Sequence, residues 1–224
     1  MMGAVILLSG GLDSVVSAYA AREQHPPELA LTFDYGQRAA PREIEAALCV
    51  AADLGLPHRL VKLPWLGRLA PEAITDPAAD LAAATDVGVW VPGRNAVFVS
   101  IAAAFAEAFD CQAIVCGFNA EEAAVFPDNS PEFVSRAEGL LELATRNAPR
   151  VIAPTLGLTK TEIVQLGIEL EAPLHMTWSC YGAGPEHCFE CPSCRRLQGA
   201  LKAAGAWESW SEQRERPATR SEPC

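Results

Sequence analysis

The sequence predicts an α/β fold in which a doubly wound, mostly parallel sheet is flanked by helices, with a small cysteine-rich segment near the C-terminus. Three observations predict this. Short apolar segments with strand character alternate with helical segments, a glycine-rich loop joins the first strand to the first helix, and four cysteines cluster late in the chain. Alternating strands and helices are typical of βαβ units with right-handed crossovers.

The first strand is the apolar run 5–8, which is bounded by glycines and therefore predicted to be buried on both faces of the sheet. Residues 13–21 then show helical spacing, which predicts the first helix. The later predicted elements are strand 29–33, helix 42–54, strand 58–63, a buried helix 95–109, strand 113–116, an amphipathic helix 131–146 and a helix opened by the capping box Thr159-x-x-Glu162. Prolines and glycines over 64–92 interrupt this rhythm and predict a mobile connection or lid.

Length and composition predict one domain over 1–224, with a flexible tail at 211–224. Half of the 224 residues are apolar and 20% are charged, as in soluble globular proteins. The net charge of −11 argues against a nucleic-acid surface, which needs clustered Lys and Arg. No apolar run reaches the roughly 20 residues of a membrane span, and the N-terminus lacks a signal-peptide pattern. We therefore expect a cytoplasmic protein that acts without membrane or nucleic acid.

The loop after the first strand has the sequence Ser-Gly-Gly-Leu-Asp-Ser over 9–14. It lies at a predicted helix N-terminus, where free backbone N–H groups and the helix dipole favour an anion. The glycines let the backbone approach a phosphate, and the serines add donors. A glycine-rich turn of a doubly wound fold without a ligand is the alternative. The spacing matches neither the Walker loop nor the dinucleotide fingerprint. It resembles the loop of the ATP pyrophosphatases, which hold the β,γ-pyrophosphate of ATP and form AMP esters.

A second segment, 154–162, resembles the other phosphate-contacting segment of that group. It contains Lys160, which would neutralise phosphate charge in the transition state. By itself, Lys160 fits a solvated lysine in the first turn of a capped helix better than a functional residue. Its pairing with the loop favours a functional role.

Four cysteines near the C-terminus have the spacing C-x7-C-x2-C-x2-C, namely Cys180, Cys188, Cys191 and Cys194. Two-residue gaps let successive thiolates converge on one ion, and four sulfur ligands suit a closed, tetrahedral, structural Zn²⁺ site. Disulfides, an iron–sulfur cluster and chance are the alternatives; the first suits a cytosolic chain poorly and the second a non-redox enzyme. His187 is the reserve ligand. We expect a zinc-binding helical segment over 177–204 that the metal helps to fold.

Taken together, several segments resemble the 7-cyano-7-deazaguanine synthase family of queuosine precursor biosynthesis over about residues 4–204. They are the phosphate loop, 33–38, 91–95, 126–128, 159–162 and 177–180 with the cysteine cluster. The resemblance implies an adenine nucleotide alpha hydrolase-like fold, a zinc ion, frequently a homodimer, and an AMP-forming carbon–nitrogen ligase. Such an enzyme converts 7-carboxy-7-deazaguanine, ammonia and ATP to the nitrile through an adenylated carboxylate and an adenylated amide, and releases AMP and pyrophosphate.

The same resemblance implies roles for individual residues. Catalytic roles fall to Lys160, Asp13 and Ser14, and the phosphate loop together with Lys160 would hold pyrophosphate and position Mg²⁺. ATP would be held by Leu8, Ser9, Gly10, Gly11, Leu12, Asp13, Ser14, Asp34 and Lys160, and the substrate by Tyr35, Gln37, Arg94, Asn95 and Asp128. Purely structural roles are the alternatives: Asp34-Tyr35-Gly36 could be a strand-ending turn, Arg94 a surface cation and Asp128 a turn residue.

The chain departs from the family pattern at two places. Ala39 stands where a histidine commonly follows the Gln-Arg pair, and Asn129-Ser130 stands where Cys-Arg commonly follows Pro-Asp.

Another AMP-forming ligase, such as an NAD or GMP synthetase, would share the loop but would not require the cysteine cluster. A relative that attaches the activated acid to a different amine, including a macromolecular one, is a second alternative. The chain has no recognisable glutaminase segment, so ammonia would arrive free or from a partner.

Overall fold

The structure, a computed structural model, describes residues 3–69, 74–85 and 87–215. Its centre is a five-stranded, wholly parallel sheet with the order β3-β2-β1-β4-β5. The strands are β1 Ala4–Leu7, β2 Pro27–Asp34, β3 His58–Lys62, β4 Ala113–Val115 and β5 Arg150–Ile152. The predicted fold class is therefore confirmed. Strand order reverses between β1 and β4, which opens a crevice at the carboxyl ends of these two strands.

The described helices flank this sheet on both faces. They are α1 Leu12–Ala21, α2 Ala40–Asp53, α3 Leu66–Leu69, α4 Arg94–Ala108, α5 Ala120–Ala123, α6 Pro131–Ala144, α7 Lys160–Glu169, α8 Pro192–Ala203 and α9 Trp207–Glu215. Short 3₁₀ turns occupy Val87–Val89, Pro127–Asn129 and Leu174–Met176. In the described part of the chain, no helix has both the length and the apolar character that crossing a membrane requires.

The core is divided by the sheet because successive strand residues point to opposite faces. In β1, Ile6 packs with α1, α2, α7 and α8 on one side, whereas Val5 packs with α4 on the other. Both side chains are fully buried. The run of buried residues in β1 and β2 thus reflects burial on both faces, as the sequence predicted.

Several boundaries differ from the sequence-based expectation. Strand β5 has only three residues and was not predicted. Helix α4 is not buried all round: Ser100 and Phe109 at its end face solvent, because only one side of the helix packs on the sheet. The predicted tail begins too early, since α9 continues to Glu215 and Arg214 donates a hydrogen bond to the His175 carbonyl at 2.8 Å. Residues 216–224 lie outside the described residues.

Part of the predicted lid is held against the domain. Arg38 donates hydrogen bonds to the carbonyls of Asp76 and Ala79 at 3.2 and 2.7 Å, and its own backbone N–H donates to Ile74 at 2.8 Å. Residues 70–73 and 86 of this connection lie outside the described residues, so lid motion stays a prediction.

Candidate functional site

The loop Ser9–Ser14 lies where β1 ends and α1 begins, at the mouth of the crevice. Gly10 has φ +78°, and an added Cβ would lie 2.8 Å from the Glu43 carbonyl oxygen. Backbone conformation and space therefore both require glycine there. Gly11 is the N-cap of α1 and supplies no capping side chain, so the amides of the first turn remain available to a ligand.

Hydrogen bonds within the loop fix its two serines. Ser9 Oγ donates to Ser14 Oγ at 3.0 Å and accepts from the Gly11 N–H at 3.2 Å. Ser14 Oγ in turn donates to the Gly11 carbonyl at 2.9 Å. This arrangement holds the loop open as a cradle of backbone and hydroxyl groups at a helix N-terminus, which is a suitable geometry for phosphate.

Lys160 lies opposite the loop and contacts two carboxylates. Its Nζ forms an ion pair with Asp13 and a second one with Glu122 at 3.0 Å. Lys160 is the first residue of α7, where the capping box of Thr159 and Glu162 fixes the helix start. The side chains of Lys160 and Asp13 are only 13% and 14% exposed, so the charges interact with little solvent screening.

Helix α5 supplies the second carboxylate and its support. Asn119 caps α5 by accepting the Glu122 N–H at 2.9 Å, and its Nδ2 donates to Asp13 Oδ2 at 3.2 Å. Glu121 accepts the backbone N–H of Lys160 at 2.8 Å. Glu122 and Asn119 were not predicted from the sequence, because a four-residue helix leaves no periodic signal and the Asn-x-x-Glu cap pattern is the one local indication of it.

Burial and charge oppose one another in this cluster. Burial raises the pKa of Asp13 above its ordinary value, although Lys160 pulls it down. Burial alone would lower the pKa of Lys160, but Asp13 and Glu122 raise it well above the usual range. Burial would likewise raise the pKa of Glu122, yet Lys160 holds it below its ordinary value. One fixed ammonium group is thus held charged beside the phosphate loop.

Gly117, just after β4, lets two segments meet at the crevice. An added Cβ would lie 2.6 Å from the Ser14 backbone nitrogen and 2.7 Å from its Cα. Behind this contact, Ser17 and Thr155 hydroxyls lie 2.8 Å apart, and Thr155 donates to the Phe118 carbonyl at 2.7 Å. Buried hydrogen bonds therefore join α1, the loop after β4 and the segment before α7.

The cavity extends from the loop towards aromatic residues and Arg94, with a volume of about 270 Å³. Arg94 begins α4 and donates to Tyr35 Oη at 3.3 Å, with its guanidinium 5.8 Å from the Tyr35 ring centre. Phe33 and Phe98 stack with centroids 4.1 Å apart. Burial raises the pKa of Tyr35, so the phenol stays protonated at neutral pH. This part of the wall thus combines flat apolar surfaces with the guanidinium group of Arg94.

Most residues predicted to bind ATP or substrate line this cavity. They are Leu8, Ser9, Gly11, Leu12, Asp13, Ser14, Tyr35, Arg94, Asn95 and Lys160. The structure places four others outside the lining: Gly10, Asp34, Gln37 and Asp128. Asp34 Oδ1 accepts the Gly36 N–H at 3.1 Å as part of a turn, and the Asp128 carbonyl accepts from Asn95 Nδ2 at 3.1 Å. Burial raises the pKa of Asp128, while Arg94 opposes the shift.

The two departures from the family pattern occupy different surroundings. Ala39 is 2% exposed and packs with Trp178 and the cysteine segment, away from the cavity. Asn129 lines the cavity and donates to Asp128 Oδ1 at 3.2 Å. Ser130 caps α6 by accepting the Phe133 N–H at 3.1 Å.

The four predicted cysteines form one cluster. Ligand atoms of Cys180, Cys188, Cys191 and Cys194 all lie within 4.8 Å of one another, close enough to hold a single metal ion. Backbone N–H groups point at the sulfurs: Cys191 N donates to Cys188 Sγ at 3.3 Å, and Cys194 N donates to Cys191 Sγ at 3.4 Å. Such donors stabilise thiolates, which is the form that binds a metal.

His187 is not part of the cluster, so its assignment as reserve ligand was wrong. Its Nε2 accepts the Ser179 N–H at 3.1 Å, and its ring packs 4.5 Å from Trp178 and 5.5 Å from Trp210. Burial, followed by the charge of Arg214, lowers the pKa of His187 to about 4. A neutral imidazole packed among indole rings explains why this histidine turns away from the sulfurs.

The cysteine segment also touches the phosphate loop. Trp178 N–H donates to the Gly10 carbonyl at 2.8 Å, and the Trp178 indole donates to the Cys180 carbonyl at 3.0 Å. Arg42 lies 5.5 Å from the Trp178 ring and donates to the Gly184 carbonyl at 2.9 Å. The cluster therefore supports the back of the loop through a short chain of contacts.

The sheet, the loop and Lys160 together define a protein of the PP-loop ATP pyrophosphatase type. Comparison with known proteins specifies it further: the chain belongs to the family described as queuosine biosynthesis protein QueC, whose model matches residues 3–205. Membership confirms the resemblance seen in the sequence and makes the chain an enzyme of that family.

Curated relatives span nearly the whole chain. It is 47% identical over 217 residues to the 7-cyano-7-deazaguanine synthase of Pelotomaculum thermopropionicum, covering 91% of this chain and 98% of the relative. A synthase of the same name from Bdellovibrio bacteriovorus is 44% identical, covering 89% and 93%. These relatives give no support to an enzyme that modifies a different amine.

A solved structure shares the fold at low sequence identity. It is described as a predicted subunit of tRNA methyltransferase from Methanocaldococcus jannaschii and is 16% identical, with a TM-score of 0.51 and coverage of 99% of this chain and 95% of that chain. The match supports the fold alone.

Proposed function

We propose that this chain is an ATP-dependent ligase that converts 7-carboxy-7-deazaguanine and ammonia to 7-cyano-7-deazaguanine, the product in the name of its curated relatives. The observation that carries the proposal is one cavity in which the phosphate loop and Lys160 face Arg94 and an aromatic wall. A nucleoside triphosphate requires a site for its phosphates, and a flat, anionic base requires aromatic surfaces and a cation; this cavity holds both side by side.

The reaction proceeds through two transfers of AMP. A carboxylate oxygen of the acid attacks the α-phosphorus of ATP and pyrophosphate leaves; ammonia then displaces AMP, which gives the amide. The amide oxygen attacks a second ATP and pyrophosphate leaves again. Loss of AMP and of both amide N–H protons then forms the nitrile. Both original carboxylate oxygens depart on AMP, so the atoms balance.

The residues divide this work by position. Loop amides, both serine hydroxyls and Lys160 bind the pyrophosphate, whose negative charge grows as it leaves. Asp13 and Ser14 would help to hold Mg²⁺ bound to ATP, which would supply further positive charge beside the pyrophosphate. Arg94 attracts the carboxylate of the substrate and aligns it with the α-phosphorus. Catalysis then depends on positioning and electrostatics, because phosphoryl transfer needs little covalent assistance from the protein.

Zn²⁺ is the metal that the cysteine cluster suits best. Four sulfur ligands leave no open coordination position, and four cysteine ligands are typical of structural zinc. The ion would stabilise the segment 177–204 and, through Trp178, the phosphate loop. Metal analysis of freshly purified, unchelated protein should give close to one zinc per chain. Less than about half an equivalent would contradict the assignment.

The remaining partners follow from the family resemblance and composition. We infer a homodimer that works in the cytoplasm, takes ammonia free or from a partner, and binds no nucleic acid. Light scattering on the purified protein measures the oligomer, and a monomer at micromolar concentration would refute the dimer.

The function is tested by incubating the protein with Mg-ATP, 7-carboxy-7-deazaguanine and ammonium. Nucleotide chromatography should show AMP and pyrophosphate, and mass spectrometry should show the cyano base. ADP as the sole nucleotide product would refute AMP transfer. Conversion of another acid, but not of this one, would refute the substrate.

A further inference from the structure

Gln37 does not line the cavity, yet its side chain is tied to one that does. Its Oε1 accepts the Tyr35 N–H at 2.9 Å, while Nε2 donates to the Phe33 carbonyl at 3.0 Å and to Glu43 Oε2 at 2.7 Å. A backbone N–H can only donate and a carbonyl can only accept, so the orientation of this amide is fixed. Gln37 therefore always presents an N–H to the Glu43 carboxylate.

Glu43 lies in the first turn of α2 and lines the cavity. Gln37 occupies one carboxylate oxygen, Oε2. The other oxygen, Oε1, receives no hydrogen bond from the described residues. A carboxylate anchored through one oxygen leaves its second oxygen as an acceptor in a defined position.

The space beside Glu43 suits a flat ring. Phe33 and Phe98 stack at 4.1 Å, Trp90 and Phe126 stack at 5.8 Å, and all four side chains line the same cavity. Aromatic faces of this kind hold planar heterocycles by stacking. A planar base that stacks on the outer face of one of these pairs has its edge free to meet Glu43, which lines the same cavity.

We propose that Glu43 binds the 2-aminopyrimidin-4-one edge of the deazaguanine substrate, with Gln37 as the residue that positions it. This edge carries two adjacent donors, the ring N1–H and the exocyclic amine, and a carboxylate can accept from both. Adenine offers a ring acceptor beside its amine, so a carboxylate suits it less well. The inference rests on the proposed function and assigns one part of the same cavity to one end of the substrate.

Kinetics of Glu43→Gln test the assignment. Loss of a charge-assisted acceptor should raise the KM for 7-carboxy-7-deazaguanine about 10- to 100-fold, while the KM for ATP changes less than about threefold. Gln37→Met should raise the same KM by a smaller factor, about 3- to 10-fold, and leave the KM for ATP unchanged. Gln165→Met, on the exposed side of α7, is the matched control and should behave as wild type.

A substrate analogue that lacks the 2-amino group provides the second measurement and needs no variant to fold. Wild-type protein should use the analogue at least about tenfold less efficiently than the acid, since an acceptor in the cavity is left unpaired. Glu43→Gln should reduce that ratio. Equal use of both compounds by wild type, or a Glu43→Gln effect confined to ATP, would overturn the proposal. If wild type does not convert the acid at all, the proposed function itself fails instead.

Discussion

Lys160 and Asp13 form a buried ion pair that joins the first residue of α7 to the first turn of α1, and Glu122 shares the same ammonium group at 3.0 Å. Three segments that are distant in sequence thus meet at one charge. In the free protein this ammonium neutralises two carboxylates. Under the proposed function, Mg²⁺ bound to ATP would neutralise Asp13 and leave the Lys160 ammonium group for phosphate.

Replacing Lys160 by methionine should reduce kcat for pyrophosphate release about 100- to 1000-fold, because one preorganised charge at the leaving group is lost. Release from Mg-ATP at saturating acid is the measurement. Lys62→Met, on an exposed position of β3, is the control and should retain wild-type activity. A Lys160→Met enzyme with a kcat within about threefold of wild type would exclude this role.

The cluster also predicts a non-additive effect on stability. Lys160→Met leaves Asp13 and Glu122 buried without their cation, and this should lower the free energy of unfolding by about 3 kcal/mol. Adding Glu122→Gln removes one of the two unpaired charges. The double variant should therefore be more stable than Lys160→Met in urea denaturation, whereas Glu122→Gln alone should destabilise the wild type. Independent, additive losses would show that the three groups do not interact.

Because the chain is closely packed at Gly117, we expect a larger residue there to distort the phosphate loop. Gly117→Ala places a methyl group 2.6 Å from the Ser14 nitrogen, so the loop or α1 must shift. We expect a loss of about 1–3 kcal/mol in stability together with weaker ATP binding, measured by urea denaturation and calorimetry. Gly139→Ala in α6 meets no atom within 4 Å and should stabilise the protein slightly through helix propensity. An unchanged affinity for ATP in Gly117→Ala would contradict the proposed tight fit.

The sequence predicted the parallel sheet because β1 and β2 are buried on both faces, which leaves a continuous apolar run. It predicted the α7 start because a capping box is local. Strand β5 escaped prediction because it begins at the exposed Arg150 and lacks the continuous apolar run that marked the equally short β4. Glu122 escaped prediction because it lies in a helix of only four residues, which leaves no periodic signal, and its place at the site depends on its contact with Lys160 of α7.

The residues of the candidate site also differ in whether the sequence alone could predict them. Contiguous motifs such as 9–14 and the cysteine spacing could be recognised directly. Gln37 and Glu43 could not be assigned separate positions from sequence, since which of them faces the cavity depends on how the chain turns between β2 and α2. His187 looked like a ligand by proximity to Cys188, but packing against Trp178 and Trp210 directs its ring elsewhere.

The link between the cysteine cluster and the loop predicts that metal loss impairs ATP binding. Cys194→Ala removes one ligand and should release the metal, loosen the segment that carries Trp178, and raise the KM for ATP. Metal content and kinetics are measured on the same preparation. Cys111→Ala alters a buried cysteine outside the cluster and should keep both values near wild type. Full metal loss with an unchanged KM for ATP would show that the two sites are independent.

The titration of His58 should make the free energy of unfolding depend on pH. Thr32 Oγ1 donates to the Leu8 carbonyl at 2.6 Å, so the contact of 2.7 Å between Thr32 Oγ1 and His58 Nε2 requires His58 to donate from Nε2. Burial lowers the pKa of His58 below its ordinary value of 6.5. The folded state therefore binds fewer protons than the unfolded state as the pH falls below 6.5, and stability should decrease in that window.

The measurement is urea denaturation of wild type and His58→Gln at a series of pH values from about 8 to about 5. Other histidines contribute equally to both proteins, so the difference in unfolding free energy isolates His58. That difference should be constant above the ordinary histidine pKa and should shift against the wild type at lower pH, by at most about 1.4 kcal/mol per pH unit. Parallel curves over the whole range would show that the imidazole titrates identically in the folded and unfolded chains, and would contradict the lowering of its pKa by burial.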